Sequence, residues 1–264
     1  MKNITIIIII IINILTSCEN NVNKKNNYED QNSEIMQEKQ LSKTDSIKIQ
    51  EKKDFLTGRF NPETHIDFDI LENKYHSKNE MFLQKETINA FIRMKEEAQK
   101  DGINLTIVSG TRNFYYQKGI WERKYTEHKE KGLKGKEIIK EIMIWSSMPS
   151  TSRHHWGTDI DINGFNTYFN GENEKANKEY EWLKKNAHKF GFCQVYSEKN
   201  KNGRNSGYNE EKWHWSYLPI AKELLEDYKK FITYKDINDF SGSEYAEELN
   251  IIEEYVYSIS KECK

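Results

Sequence analysis

Two short motifs, about fifty residues apart in the chain, constrain its fold more than any other feature. The first spans residues 152–161 (SRHHWGTDID) and the second spans residues 211–214 (EKWH). Two imidazoles and a carboxylate are a recurrent ligand set for catalytic Zn²⁺, which keeps one coordination position open for water, and a nearby glutamate can take a proton from that water. Residues that share one metal ion have to meet in space. We therefore expect the fold to join the two motifs in a site for metal-assisted hydrolysis.

The first motif has the pattern of a turn followed by a strand. Residues 157–163 alternate between apolar side chains on one face and two acids on the other, as a buried strand does. Gly157 permits a sharp turn just before it, so one end of the strand can present an imidazole and a carboxylate together. Spacing leaves open which histidine and which acid bind the metal: His154 or His155, and Asp159 or Asp161.

The second motif needs a local irregularity. Glu211 and His214 are three residues apart, which on a regular strand would put them on opposite faces. Residues 213–217 have the aromatic, alternating character of a strand, so we predict a turn or bulge near Lys212. The alternative is that Glu211 is an ordinary solvated acid of a loop.

An arginine is a further candidate for the site. Arg112 follows a predicted strand at residues 104–109, in a loop where functional side chains are common. A guanidinium there can grip a carboxylate in a fork or stabilise an oxyanion. On its own, such an arginine is more often a surface residue.

The chain from Asp54 onward alternates helical and strand patterns without a proline-rich break, which predicts one α+β domain. We predict helices at residues 84–100, 113–129, 136–147 and 173–189, one opened by Pro219, and a final helix in the tail from Ser243; strands are predicted at residues 104–109, 157–163, 192–196 and 213–217.

Charge excludes one class of function. The 40 basic and 42 acidic residues are interspersed and give a net charge of -2, so no basic field concentrates nucleic acid. We expect no nucleic-acid partner.

The N-terminal region has the composition of an export signal and a linker. Residues 1–18 carry Lys2 and then an apolar run that ends in Leu-Thr-Ser-Cys, which resembles a bacterial lipobox with Cys18 as the acylated residue. Residues 19–53 are polar and we expect a disordered tether there. The chain is then an exported, membrane-anchored lipoprotein that faces the periplasm or the cell exterior. The alternative is an uncleaved anchor with an incidental cysteine.

Two other cysteines stand far apart in the chain. Cys193 lies in an apolar run and Cys263 lies near the C-terminus. An exported protein can pair them, but nothing local demands it, and we expect Cys193 to be a small buried hydrophobic residue without a disulfide.

Three ordered motifs together resemble a known family. Residues 109–112 (SGTR) are followed by Gln117, then by Ser152-x-His154-x-x-Gly157-x-x-x-Asp161, and then by Glu211-x-Trp213-His214. This order is similar to that of the VanY-like D-alanyl-D-alanine carboxypeptidases, over roughly residues 83–217. The chain differs in two places, with Asp159 where the family often has a small residue and Thr111 where it often has tyrosine.

The resemblance implies a fold and roles for individual residues. The implied fold is α+β, with a central antiparallel sheet flanked by helices, as in lysostaphin-type endopeptidases and the hedgehog signalling domain. The residues that it implicates are His154, Asp161 and His214 as ligands of one Zn²⁺, Glu211 as general base and acid, Arg112 at the transition state or the substrate carboxylate, and Ser152, Gln117 and Trp213 at the substrate.

The implied activity is zinc-dependent hydrolysis of peptidoglycan stem peptides, with release of the C-terminal D-Ala. Alternatives within the family are a D,D-dipeptidase, an L,D-carboxypeptidase and a cross-link endopeptidase. A non-catalytic peptidoglycan-binding lipoprotein is the alternative from another class. We also expect Trp156 and Trp215 to wall the cleft beside Trp213.

Overall fold

A four-stranded antiparallel sheet carries both motifs. The computed structural model describes residues 43–201 and 203–264. The order of the strands in this sheet is β3-β4-β6-β5, and every neighbouring pair is antiparallel. The strands are β3 (Ile107–Ser109), β4 (Asp159–Ile162), β5 (Phe192–Gln194) and β6 (His214–Tyr217), and a separate hairpin joins β1 (Phe68–Ile70) to β2 (Phe82–Gln84). The predicted α+β fold with a central antiparallel sheet is confirmed.

Helices surround this sheet, and asparagine caps begin two of them. Asn113 accepts a hydrogen bond from the backbone amide of Tyr116, and Asn173 accepts one from Ala176, which satisfies amides that a helix start leaves unpaired. The helices are α1 (residues 43–56), α2 (Lys85–Lys100), α3 (Phe114–Glu130), α4 (Lys136–Ile142), α5 (Glu174–Asn186) and α6 (Leu218–Phe231). Helix α4 ends five residues before the predicted end at residue 147.

One face of the sheet is apolar. Ile160 and Ile162 of β4 belong to a buried cluster with Phe91 and Met94 of α2 and Leu183 of α5. Removal of such side chains from water is the main favourable contribution to folding. Helices α2 and α5 therefore hold this face in place.

The opposite face is polar although it is buried. Across β4 and β6, Asp159 pairs with Ser216 and Asp161 pairs with His214. Directly opposed residues on neighbouring strands point to the same face, so these four side chains lie together. A register shift of one residue would turn His214 into the apolar cluster, so the burial of the isoleucines also fixes the polar face.

The predicted C-terminal helix is wrong. The tail has a short 3₁₀ turn at Ser243–Tyr245 and a π-helical turn at Ile252–Val256. Between them Asn250 has a left-handed backbone with φ of 48°, which no continuous α-helix accommodates. Ile251 and Ile252 are still part of the buried core. The apolar pattern therefore predicts their burial correctly, but it does not predict the conformation of the segment.

The expectation that the cysteines stay unpaired is also wrong. Cys193 of β5 and Cys263 form a disulfide across 70 residues, with their Cα atoms 5.7 Å apart. Nearby, Ser260 donates its backbone amide to the Val195 carbonyl at 2.9 Å. The C-terminal segment is thereby attached to the sheet next to β5.

Residues Lys52–Lys264 form one compact unit. Of the predicted tether, residues 43–53 are helical, which contradicts the expected disorder there. Residues 19–42, the predicted signal segment 1–18 and Cys18 lie outside the described residues. Among the described residues, no helix has the length and apolar character needed to cross a membrane.

Candidate active site

The first motif forms a tight turn that delivers His154 to the edge of β4. Residues Arg153–Trp156 make one 3₁₀ turn, and Gly157 ends it in a left-handed conformation with φ of 71°. A Cβ atom at Gly157 would lie 2.3 Å from the Phe68 ring, so glycine is required for space as well as for conformation. The turn anticipated from the sequence is present.

Hydrogen bonds distinguish the two histidines of this turn. His154 Nδ1 lies 2.8 Å from the Gly110 carbonyl oxygen and donates to it, so Nε2 is left to face Asp161 Oδ1 at 3.4 Å. His155 Nδ1 instead lies 2.5 Å from the Arg112 carbonyl oxygen. His155 therefore supports the loop that carries Arg112, and His154 belongs to the site.

The two acids of β4 are distinguished by which nitrogen of His214 they meet. Asp161 Oδ1 lies 3.5 Å from His214 Nδ1, and the ring centroids of His154 and His214 are 4.7 Å apart. Asp159 Oδ2 lies 2.9 Å from the other nitrogen, Nε2. Asp161 is thus the acid placed among the candidate ligands, and Asp159 orients the histidine from behind.

Asp159 is held by several donors. Arg153 Nε donates to Oδ2 at 2.9 Å, while the hydroxyls of Ser216 and Thr158 donate to Oδ1 at 2.6 and 2.9 Å. Burial raises the pKa of this carboxyl, but the Arg153 charge and the His214 hydrogen bond lower it further than burial raises it. An ionised Asp159 accepts a hydrogen bond from His214 Nε2, which directs Nδ1 of the same ring toward Asp161.

A turn before β6 gives Glu211 its place. The His214 amide bonds the Glu211 carbonyl oxygen at 3.3 Å, and Lys212 and Trp213 form the turn between them. Glu211 Oε2 then lies 3.1 Å from His214 Nδ1. The predicted irregularity near Lys212 is confirmed, and the alternative of a solvated loop acid is wrong because Glu211 is buried. Burial raises the pKa of the Glu211 carboxyl.

Two orphaned polar atoms indicate what the cluster can hold. One ligand atom each from His154, Asp161 and His214 lies within 4.8 Å of the other two. His154 Nε2 and Asp161 Oδ1 are buried without a hydrogen-bond partner, which is costly unless another group satisfies them. Burial and then the Arg112 charge lower the pKa of His154, so its imidazole is neutral and its lone pair is available. Two imidazole nitrogens and one carboxylate oxygen fit a zinc ion.

The three side chains open onto a cavity of about 730 Å³. Glu211 and Arg112 also line it, so the candidate ligands, base and cation share one space. Further lining residues are Lys78, Tyr115, Tyr116, Gln117, Gly119, Ile120, Arg123, Lys124, Trp145, Ser146, Ser147, Phe165, Asn166, Tyr196 and Trp213.

Arg112 and Gln117 contact the cavity from the start of α3. Arg112 Nη1 donates to Ser109 Oγ at 2.8 Å and lies 3.5 Å from Asp161 Oδ2. Gln117 Nε2 donates to the Ser147 carbonyl at 2.8 Å, and its Oε1 is buried without a partner. Both side chains therefore have capacity for another group in the cavity.

The other predicted substrate contacts are divided. Trp213 lines the cavity and lies against Trp145, with ring centroids 5.7 Å apart. Ser152 is buried, its Oγ has no hydrogen-bond partner, and it is not among the residues that line the cavity. The expectation for Trp156 and Trp215 is wrong, because Trp156 is a core residue and Trp215 lines a different cavity.

Sequence reasoning missed residues of α3 and of the segment after α4. Gln117, Ile120 and Lys124 follow one another at spacings of three and four residues, so they lie on one face of α3. All three line the cavity, and the Lys124 ammonium is hydrogen-bonded to Ser146 Oγ. That spacing is the sequence pattern that could have identified these residues as part of the site. It was obscured because the same helix carries tyrosines and charges on several faces.

Comparison with known proteins identifies the family. Residues 80–220, more than half of the chain, match the family model for the D-alanyl-D-alanine carboxypeptidase VanY. The chain belongs to the VanY family. The match covers both motifs and β3 to β6, so the residues that build this site lie within the family region.

Two curated relatives are similar to the chain. A D-alanyl-D-alanine carboxypeptidase of Enterococcus faecalis is 31% identical over 125 residues, which are 47% of this chain and 44% of that protein. The putative carboxypeptidase YodJ of Bacillus subtilis is 28% identical over 199 residues, 75% of this chain and 65% of that protein. The chain thus spans less than two thirds of the length of either relative.

A solved structure of VanYB in complex with D-alanine-D-alanine matches 65% of this chain and 87% of that chain, with 24% identity and a TM-score of 0.47. The structure of the LD-carboxypeptidase LdcB matches 71% of this chain and 80% of that chain, with 24% identity and the same TM-score of 0.47.

Proposed function

We propose that this protein is a zinc-dependent carboxypeptidase that releases the C-terminal D-Ala from peptidoglycan stem peptides. The observation that carries the proposal is the pair of orphaned buried atoms, His154 Nε2 and Asp161 Oδ1, which lie with His214 at the base of a cavity beside Glu211. Membership of the VanY family supports the same activity. The name of the Enterococcus faecalis relative agrees with it.

His154, Asp161 and His214 would hold one zinc ion per chain. When bound, zinc supplies Lewis acidity, which polarises a carbonyl oxygen and makes water more acidic. A catalytic zinc site keeps one position open for water, and all three residues that would hold the ion line the cavity.

Glu211 performs the proton transfers in this proposal. Its Oε2 is within hydrogen-bonding distance of His214 Nδ1, so it lies next to the ligand cluster. Because burial raises its pKa, the carboxylate is a better proton acceptor than an exposed glutamate. Glu211 takes the proton from the attacking water, and the same carboxyl then protonates the departing amine of D-Ala.

Arg112 supplies a positive charge on the other side of the cluster. Its guanidinium, 3.5 Å from Asp161 Oδ2, is close enough to meet negative charge on the reacting group or on the terminal carboxylate of the peptide. Gln117, with an unused Oε1, can accept a hydrogen bond from a peptide amide in the same cavity.

The direct test uses the purified full-length chain and a stem pentapeptide that ends in D-Ala-D-Ala. We expect release of one D-Ala, loss of activity after chelation, and recovery when zinc is returned. Further substrates distinguish the alternatives: cleavage of free D-Ala-D-Ala without cleavage of the pentapeptide indicates a D,D-dipeptidase, and release of D-Ala from a tetrapeptide indicates an L,D-carboxypeptidase. Turnover that survives complete chelation would refute the proposed mechanism.

We also propose that the chain is exported and anchored through a lipid on Cys18. The lipobox-like sequence of residues 1–18 supports this. The Cys193–Cys263 disulfide is a second support, because such bonds persist mainly in oxidising compartments. Labelling with a radioactive fatty acid in a bacterial host should mark the chain, and Cys18→Ala should lose the label.

A further inference from the structure

Lys124 contributes an unbalanced positive charge to the wall of the cavity. Its Nζ lies 2.5 Å from Ser146 Oγ, a neutral partner. Among the ion pairs of residues 43–201 and 203–264, none includes Lys124. Burial lowers the pKa of its ammonium, and the charges of Arg123 and Arg112 lower it further, while the charges of Glu127 and Glu211 raise it by less.

The basic residues that line the cavity outnumber its acidic residues. Four basic residues line it, namely Lys78, Arg112, Arg123 and Lys124, against the two acids Asp161 and Glu211. A bound divalent cation would add to this excess. One carboxylate, that of the peptide C-terminus, is not enough to balance it, and a positively lined cleft favours anionic ligands.

The position of Lys124 along α3 indicates where a second anionic group would lie. Lys124 is seven residues after Gln117, which corresponds to about 10 Å along a helix. An extended peptide covers about 3.3–3.6 Å per residue, so the third residue from its C-terminus lies two residue steps, about 7 Å, from the terminal residue. A long side chain on that residue can cover the remaining few ångströms, so a peptide whose end lies near Arg112 and Gln117 can place a side-chain carboxylate of its third residue near Lys124.

We propose that Lys124 is a specificity-determining residue that binds a second carboxylate of the substrate, carried by the side chain of the third residue from the peptide C-terminus. The preferred substrate class is then an acidic stem peptide, with diaminopimelate at that position. Diaminopimelate differs from lysine there by one carboxylate at the end of the side chain. This inference rests on the proposed carboxypeptidase activity.

The test compares two pentapeptides that end in D-Ala-D-Ala and differ only in diaminopimelate or lysine at the third residue. We expect the parent protein to prefer the diaminopimelate peptide by about tenfold in kcat/KM, the size of about 1.4 kcal/mol, mainly through KM. Lys124→Met should bring this ratio close to one, and Lys124→Arg should keep the preference. If neither peptide is cleaved by the parent protein, the proposed function itself fails.

Matched variants separate recognition from a merely structural role. Lys118→Met removes the same charge from another face of α3, where it pairs with Asp239 at 3.3 Å, and should leave the ratio unchanged. Ser146→Ala removes the hydroxyl partner but keeps the ammonium, and should also retain the preference. Equal loss on both peptides in Lys124→Met would show that Lys124 only supports the wall. If the preference for the diaminopimelate peptide is lost in Arg123→Met and kept in Lys124→Met, then Arg123 binds the side-chain carboxylate, and the proposal is overturned.

Discussion

His214 Nε2 lies 2.9 Å from Asp159 Oδ2, while the other nitrogen of the same ring faces Asp161. The two acids of one strand thus have different tasks: one lies among the candidate ligands and the other holds a ligand in place. Asp159 is therefore a fixed negative charge behind the histidine.

Replacement of that charge should weaken the metal site. We expect Asp159→Asn to lower zinc affinity by about 10- to 100-fold, because the amide no longer fixes the tautomer and orientation of His214. A competition titration with a chromophoric chelator measures this. Asp101→Asn is the matched control, since its carboxylate bonds Trp182 Nε1 at 2.7 Å away from the candidate ligands. Unchanged zinc affinity in a folded Asp159→Asn protein would contradict the role assigned to this acid.

Removal of the base should separate turnover from metal binding. We expect Glu211→Gln to lower kcat by about 10²- to 10⁴-fold while zinc stays bound, because Glu211 is not among the clustered ligands. The neighbouring Glu210→Gln is the control: Glu210 accepts a hydrogen bond from Tyr180 at 3.0 Å and is not among the cavity residues. Comparable losses in both variants would speak against a specific base.

A capping acid distant from the site should give the stability a pH dependence. Burial raises the pKa of Asp236, but hydrogen bonds from Lys53 and Thr233 lower it overall. A carboxyl whose pKa is depressed in the folded state contributes stability above its unfolded pKa of about 3.9, and this contribution is lost as pH falls through the folded value. We expect Asp236→Asn to cost up to about 1 kcal/mol at pH 7. Thermal unfolding should show that the difference in stability between the parent protein and Asp236→Asn becomes smaller below about pH 4. A difference that stays constant with pH would show that the charge of Asp236 is not its source.

The disulfide should contribute substantially to stability. Joining Cys193 to Cys263 closes a loop of 70 residues and restricts the unfolded chain. We expect the double variant Cys193→Ala and Cys263→Ala to lose about 2–4 kcal/mol of unfolding free energy in urea titrations. Treatment of the parent protein with reductant should move its midpoint in the same direction. Coincident curves for all three samples would show that the bridge has no stabilising role.

Much of the site could be predicted because its chemistry requires particular residue types in order. The alternation around Asp161, the turn at Gly157 and the irregularity near Lys212 all follow from local patterns. Local patterns could not show that His154, and not His155, belongs to the site. That distinction depends on whether each ring meets the carbonyl of Gly110 or of Arg112, and each carbonyl is more than forty residues away in sequence from its histidine.

The errors in the remainder of the fold have one physical origin. In the tail, Ile251 and Ile252 meet the core through turns instead of a helix, since the left-handed backbone of Asn250 interrupts the helical path. In the segment after α4, Ser146 is drawn to Lys124, a contact between two separate elements. The spacing of apolar residues predicts which residues are buried, but tertiary contacts determine the backbone conformation of the segment that carries them.

The covalent loop from Cys193 to Cys263 encloses the second motif, and this affects how the protein would respond to proteases. Exposed residues such as Lys201 and Asn205 lie in that loop, around the buried Arg204 that bonds three surrounding carbonyls. Exposed loop tips are preferred points of proteolytic cleavage. A single cut there leaves both fragments joined through sulfur, so His214 stays attached to the half that carries His154 and Asp161. A nicked molecule would migrate as one species on a gel until it is reduced.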